Sequence, residues 1–160
     1  MTQPEPQAEH KWLEQLVGEW VWEMEAPAGP NEPPMKHTGT DSVRSLTLWV
    51  QCHGTHTMPD GGEAKTVMTL GYDTAKKKFV GTFIGSMMTN LWVYEGELDA
   101  AGKVLTLAAD GPSMIDPTQT TKYLDKIEMV SADHRILTSQ ALTPDGQWVQ
   151  FMTAHYRRKR

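Results

Sequence analysis

LGYDTAKKKFVGTFIGSMMTNLWVYEGEL, residues 70–98, reads as three consecutive antiparallel strands. One ends near Tyr72, the next covers 79–84 and the third 91–98. β-branched and aromatic residues fill them, and Gly, Asp, Ser and Asn punctuate them. The first turn, 73–78, is short and charged. The second, 85–90, carries Met87 and Met88.

The chain on either side continues in the same manner. Residues 1–8 read as a flexible lead. Leu13, Leu16 and Val17 then fall at i, i+3 and i+4, which predicts a short amphipathic helix over 9–17 ended by Gly18. In 19–25, Trp20, Trp22 and Met24 alternate with mostly polar neighbours, the pattern of a half-buried strand. Four prolines in 26–34 forbid ladder pairing and mark a long loop. Residues 38–52 are too long for one straight strand and are split near 46–48, and 53–63 (HGTHTMPDGGE) reads as a loop. Beyond the meander, 99–102 turns into a strand over 104–109, and 110–120 is a loop. Tyr123, Ile127 and Met129 mark the inner face of the next strand, and two further turns lead into 136–142 and 148–156. About ten short strands after one helix predict a single all-β domain over 9–158, an up-and-down antiparallel barrel closed so that no edge is exposed.

Bulk composition narrows the class. The chain has 160 residues, 39% hydrophobic and 22% charged, enough for one core and too apolar for disorder. No stretch is long and apolar enough for a membrane helix, and no basic region precedes an apolar one at the N-terminus, so neither a span nor a secretory signal is expected. Cys52 is the single cysteine, which excludes an internal disulfide and suits a cytoplasmic setting. The net charge of −5 includes four basic residues at 157–160, so the body is more acidic still and nucleic acid is not an expected partner.

In an up-and-down barrel, connections alternate between the two ends. Residues 26–37, 53–63, 85–90, 110–120 and 143–147 then gather at one end, and the tight turns near Thr47 and at 73–77, 99–102 and 131–134 at the other. Long, variable connections carry function more often than tight ones. The expectation is a cup with its mouth at the long-loop end and the helix under its base.

Two resemblances rest on particular residues. Gly18-Glu19-Trp20, after a short helix and opening the first strand, resembles the Gly-x-Trp signature of lipocalins and related calycin barrels. That likeness implies that Trp20 sits at the closed base under a basic side chain from the end of the barrel, Arg157 or Arg158, with Arg157 taken first. More widely, the order LVGEW, LGYD, 79–85, LWVYEGEL, 105–112, PDGQWVQFM and YRR is similar to an uncharacterised bacterial family, domain of unknown function fifteen-seventy-nine. It implies a calycin-like barrel and brings no catalytic residue with it.

Trp22, Met24, Trp92, Tyr94 and Met129 supply large, adaptable apolar surface of the kind that lines small-molecule cavities, and the same residues would also make a solid core. Met87 and Met88 stand at the rim. Arg44, if it points inward, would anchor an acidic group; an outward arginine or a structural ion pair is the competing reading. Cys52, His53 and His56 offer metal-type ligands in a loop, and the calycin likeness adds His155 as an axial haem ligand, against plain polar loop residues and an outward histidine. No nucleophile elbow, phosphate loop or paired-carboxylate motif is present, and no cofactor is expected. The leading reading is non-enzymatic binding of a small apolar or amphipathic molecule inside the barrel. The alternatives are an enzyme using His53 and His56 at the mouth, or haem or metal binding, and a solid barrel whose exterior residues Trp49, Phe83 and Trp148 support a homodimer.

Overall fold

The computed structural model describes residues 2–26, 31 and 33–160. Its elements are α1 (Ala8–Glu14), β1 (Gly18–Ala26), β2 (Met35–Ser45), β3 (Trp49–Thr57), β4 (Glu63–Asp73), β5 (Lys78–Gly85), β6 (Trp92–Leu98), β7 (Val104–Pro112), β8 (Thr120–Ser131), β9 (His134–Leu142) and β10 (Trp148–Arg158). Every strand pairs antiparallel with its chain neighbours, and β1 pairs with β10, so the sheet closes as a ten-stranded up-and-down barrel. The three-strand reading of 70–98 holds as β4, β5 and β6, and the split near 46–48 holds as well. There Thr47 takes a left-handed φ of 70°, and the Leu46 N–H donates to Trp49 O at 2.8 Å. Among the described residues no helix is long and apolar enough to cross a membrane.

Alternation sorts the side chains. On β1, Trp20, Trp22 and Met24 turn inward; on β8, Tyr123, Ile127 and Met129 do so. The deep core sits toward the tight-turn end, where Leu13, Leu16, Trp20, Leu70, Phe79, Leu105 and Leu107 are almost fully buried.

α1 closes that end. His10 Nδ1 accepts from the Gln7 N–H at 2.9 Å, which leaves its Nε2 as the donor to Tyr72 O at 3.0 Å. Trp12 Nε1 donates to Gly102 O at 2.7 Å, fastening the helix to the β6–β7 turn. The helix is shorter than the 9–17 reading: Leu16 and Val17 form tighter turns bonded to Leu13 O and Glu14 O. Gly18 does not cap it. With φ of 135° it opens β1, and a Cβ there would collide with the Arg158 guanidinium.

Two segments read as loops are partly strand. Residues 53–57 belong to β3, flanked by β2 and β4 on both sides, so their backbone groups are satisfied despite a turn-like His, Gly and Thr composition. Likewise β7 extends to Pro112. The connections that remain still segregate as the alternation requires. Residues 58–62, 86–91, 113–119 and 143–147 lie at one end, with 46–48, 74–77, 99–103 and 132–133 at the other. The 26–34 loop falls partly outside the described residues.

Candidate functional site

The barrel encloses a cavity of about 260 Å³ opening toward the long connections. Its walls come from the mouth-side halves of several strands: Trp22 and Met24 on β1, Met68 on β4, Phe83 on β5, Leu137 on β9 and Met152 on β10. Met87 stands at the rim, and Leu16 and Ile127 lie below. The volume is near the lower limit for small-molecule pockets, and an apolar wall with few polar groups is their usual chemistry.

The polar groups on this wall are Asp41, Cys52, Thr55, His56, Thr66, Arg135 and Tyr156. Arg135 is only 3% exposed, and its Nη2 faces Asp41 Oδ2 at 3.4 Å. Its guanidinium carbon lies 4.0 Å from the Tyr156 ring centre and 4.8 Å from that of Trp20, and Nε is sealed without a hydrogen-bond partner. Burial pushes the Asp41 carboxyl above its ordinary value although Arg135 pulls the other way: at 3.4 Å the ion pair does not offset the loss of water. Burial likewise pushes the Cys52 thiol up to about 12, so at neutral pH it is a protonated thiol and a poor nucleophile. The Tyr156 hydroxyl is raised by the same cause.

A second buried carboxylate is fully hydrogen-bonded. Asp125 accepts from Tyr94 Oη and from Ser139 Oγ, both at 2.6 Å. Burial still raises it above the ordinary carboxylate range, with the two hydroxyls pulling down. Between the ordinary and the raised value the folded chain holds a proton that the unfolded chain releases, so this group makes stability rise as pH falls through that window. Asp125→Asn is therefore expected to stabilise the protein at neutral pH and to flatten the rise on acidification. Urea unfolding at neutral pH and about pH 5 checks this, and a variant that is less stable at neutral pH contradicts it.

Several expected site residues lie elsewhere, each for a structural reason. Trp22, Met24 and Met87 do line the cavity. Met88 instead accepts from Trp92 Nε1 at 3.0 Å, and Trp92 packs edge-on to Tyr123 at 4.9 Å over Gly111, away from the cavity lining. Tyr94 is tied to Asp125, and Met129 is buried opposite Arg135 near the base. Arg44 is exposed because Val43, its neighbour, takes the inward position; Arg135 is the inward arginine.

The histidines do not share a site. On β3, Cys52 and His56 point inward while His53 points out to Gln51, and His56 rests edge-on against Trp22 at 5.6 Å. The barrel wall thus separates the proposed ligands, and among the described residues no group of three metal-type side chains converges. His155 is on the outer surface, stacked on His134 with Nδ1 and Nε2 3.0 Å apart, so it does not reach the interior as a haem ligand. At the base, Arg158 rather than Arg157 covers Trp20, at 4.3 Å. Arg158 is the residue paired with Trp20 and shares its inward face, which turns Arg157 outward. Of the exterior patch, Phe83 lines the cavity, and Trp49 and Trp148 lie at opposite ends of the barrel.

Fold and cavity together define a closed antiparallel barrel with an internal, mostly apolar chamber. The chain belongs to the family described as Protein of unknown function (DUF1579), whose model matches residues 5–158. No curated protein matches it. Among solved structures it is similar to Rv2717c from M. tuberculosis, with a TM-score of 0.60 and 13% identity over 98% of this chain and 100% of that one. It is also similar to a redesigned beta barrel, b11L5F_LGL, with a TM-score of 0.48 and 13% identity over 97% and 100% of the two chains. A third is EF1p2_mFAP2b bound to DFHBI, with a TM-score of 0.48 and 13% identity over 95% and 100%. At these identities the likeness is one of fold.

Proposed function

We propose that the protein is a non-enzymatic, cytoplasmic binder of a small apolar or amphipathic molecule held inside the barrel. The observation that carries this is the cavity itself: a chamber of about 260 Å³ between Trp22, Met24, Met68, Phe83 and Met152, with Met87 at its long-connection end. Methionines and aromatics present broad, adaptable surface, and removing such a wall from water on binding supplies the affinity. Among the described residues, the Cys52 thiol is protonated and the histidines of β3 are parted by the barrel wall, which supports binding as the first reading.

Native mass spectrometry of the purified protein against a lipid and haem panel, with a fluorescence titration of the uncharged dye prodan, tests the reading. Saturable binding by the wild type is expected. Met68→Trp, which fills the chamber from β4, is expected to weaken it by about tenfold or more, a loss of about 1.4 kcal/mol. Absence of any bound species together with absence of saturable dye binding overturns the proposal.

A further inference from the structure

The polar side of the cavity is built around a missing side chain. Asp41, Gly54 and Thr66 are direct cross-strand neighbours on β2, β3 and β4, and all three line the chamber. A Cβ on Gly54 would collide with Asp41 Oδ1 and with Thr66 Oγ1, so these two oxygens converge over the bare glycine backbone. Asp41 spends its other oxygen, Oδ2, on Arg135. Beside Arg135, which also lines the chamber, this level presents one carboxylate oxygen and one hydroxyl.

The charge is already balanced. The Arg135 and Asp41 side chains are 4% and 12% exposed and neutralise each other. Arg135 lies over the Trp20 and Tyr156 rings, its Nε is sealed, and its Nη2 is turned to Asp41. An incoming carboxylate would meet Asp41 Oδ1, acceptor against acceptor and like charge against like, in a space where Coulomb forces are weakly screened. An ammonium would meet the acceptor it needs, but beside a buried guanidinium and as a third charge taken out of water. A neutral donor satisfies Oδ1 without disturbing the balance, and a hydrogen bond to a charged acceptor is among the stronger ones.

We propose that the chamber takes an uncharged amphipathic molecule whose polar end donates a hydrogen bond, a hydroxyl or an amide N–H, to Asp41 Oδ1 beside Thr66. Its apolar body lies along Met68, Phe83 and Met87 toward the mouth. The inference rests on the binding reading above and adds the chemistry of the ligand's head. It excludes fatty carboxylates and alkylamines as preferred occupants at neutral pH.

Four probes that share one chain separate the possibilities: 1-octanol, octanamide, octanoate and octylamine, titrated calorimetrically into the full chain at neutral pH, with the dye prodan, which is uncharged and carries no hydrogen-bond donor, as the reference. Octanol and octanamide are expected to bind at least about tenfold tighter than the two ions, the discrimination that one buried hydrogen bond to a charged group supplies. Thr66→Val is expected to lower octanol affinity several-fold. Gly54→Ala places a methyl where the head would sit, and is expected to abolish the preference for octanol and octanamide while dye binding persists. Asp41→Asn is expected to reverse the series in favour of octanoate, because it leaves Arg135 as the unbalanced charge. If that variant does not fold, the Thr66 and Gly54 variants still decide. Octanoate or octylamine binding as tightly as octanol to the wild type overturns the inference and leaves the cavity reading standing. So does dye binding with none of the four probes bound. Failure of all five to bind overturns both.

Discussion

Replacing Arg135 with methionine is expected to lower the unfolding free energy by about 3–5 kcal/mol, the cost of stripping one partner from a buried ion pair. The substitution keeps an unbranched, shorter apolar chain beside Tyr156 and Trp20 but removes the cation that faces Asp41. Asp41 then remains among Trp22, Cys52 and Leu16 with its charge uncompensated. It answers by holding its proton more tightly. Its folded-state value is already raised by burial, and the coulombic pull of Arg135 is the main influence lowering it, so the loss of Arg135 raises it further. The sign follows. The folded variant binds a proton at a pH where the unfolded chain has released it, so the variant regains stability as pH falls toward the ordinary carboxylate value. Adding Asp41→Asn removes the orphaned charge and is expected to restore most of the loss at neutral pH. Urea unfolding of the single and double variants at neutral pH and about pH 5 tests this. A single variant that loses less than about 1 kcal/mol, or a double variant no more stable than the single, contradicts the account.

The barrel was legible because turn chemistry and alternation speak locally. Residues 70–98 announce three strands through Asp73, Gly85 and Asn90 and the β-branched and aromatic residues between them. The alternation of connections in an up-and-down barrel then separates mouth from base, and the longer ones fall mostly at the mouth. The interior polar groups were not legible, since a hydrophobic pattern identifies a face only by its apolar members. Asp125 sits at the inward position between Tyr123 and Ile127, and Asp41 shares the face of Val43, yet each reads as a polar interruption until its neighbours Tyr94, Ser139 and Arg135 are brought beside it from 14 to 94 residues away. The same limit explains the two arginine corrections. Arg44 and Arg157 each stand one position from an inward residue, Val43 and Arg158, and a shift of one residue turns a side chain through the wall. Residues 53–57 failed for a different reason. Their His, Gly and Thr composition reads as loop, and what makes them strand is pairing on both edges, which is a property of the closed sheet.

Trp20→Ala is expected to cost about 3–5 kcal/mol as well, by the cavity it leaves and by what the ring holds in place. The side chain is 1% exposed, and its Nε1 donates to Leu16 O at 2.8 Å, tying β1 to the segment that follows α1. Arg158 lies 4.3 Å from the ring and donates to Val17 O at 2.7 Å, and to Gln15 O and Ala132 O at 3.0 Å each, so one guanidinium joins β10, the helix exit and the β8–β9 turn. Arg135 approaches the same ring from the cavity side of the base, at 4.8 Å. Trp20→Phe separates these contributions. It keeps a π-face for the two cations but removes the N–H donor to Leu16 and part of the volume, and is expected to lose only about 1–2 kcal/mol. Equal losses in the Phe and Ala variants would show that the ring's contact with the guanidiniums contributes nothing. Ring and cavity also part company here. Trp20 is not on the chamber wall, so the Phe variant is expected to bind prodan and octanol as the wild type does, while the Gly54 variant loses its preference for octanol and keeps its base intact. That contrast assigns the chemistry of closure to the Trp20 end and the selection of a ligand to Asp41, Gly54 and Thr66.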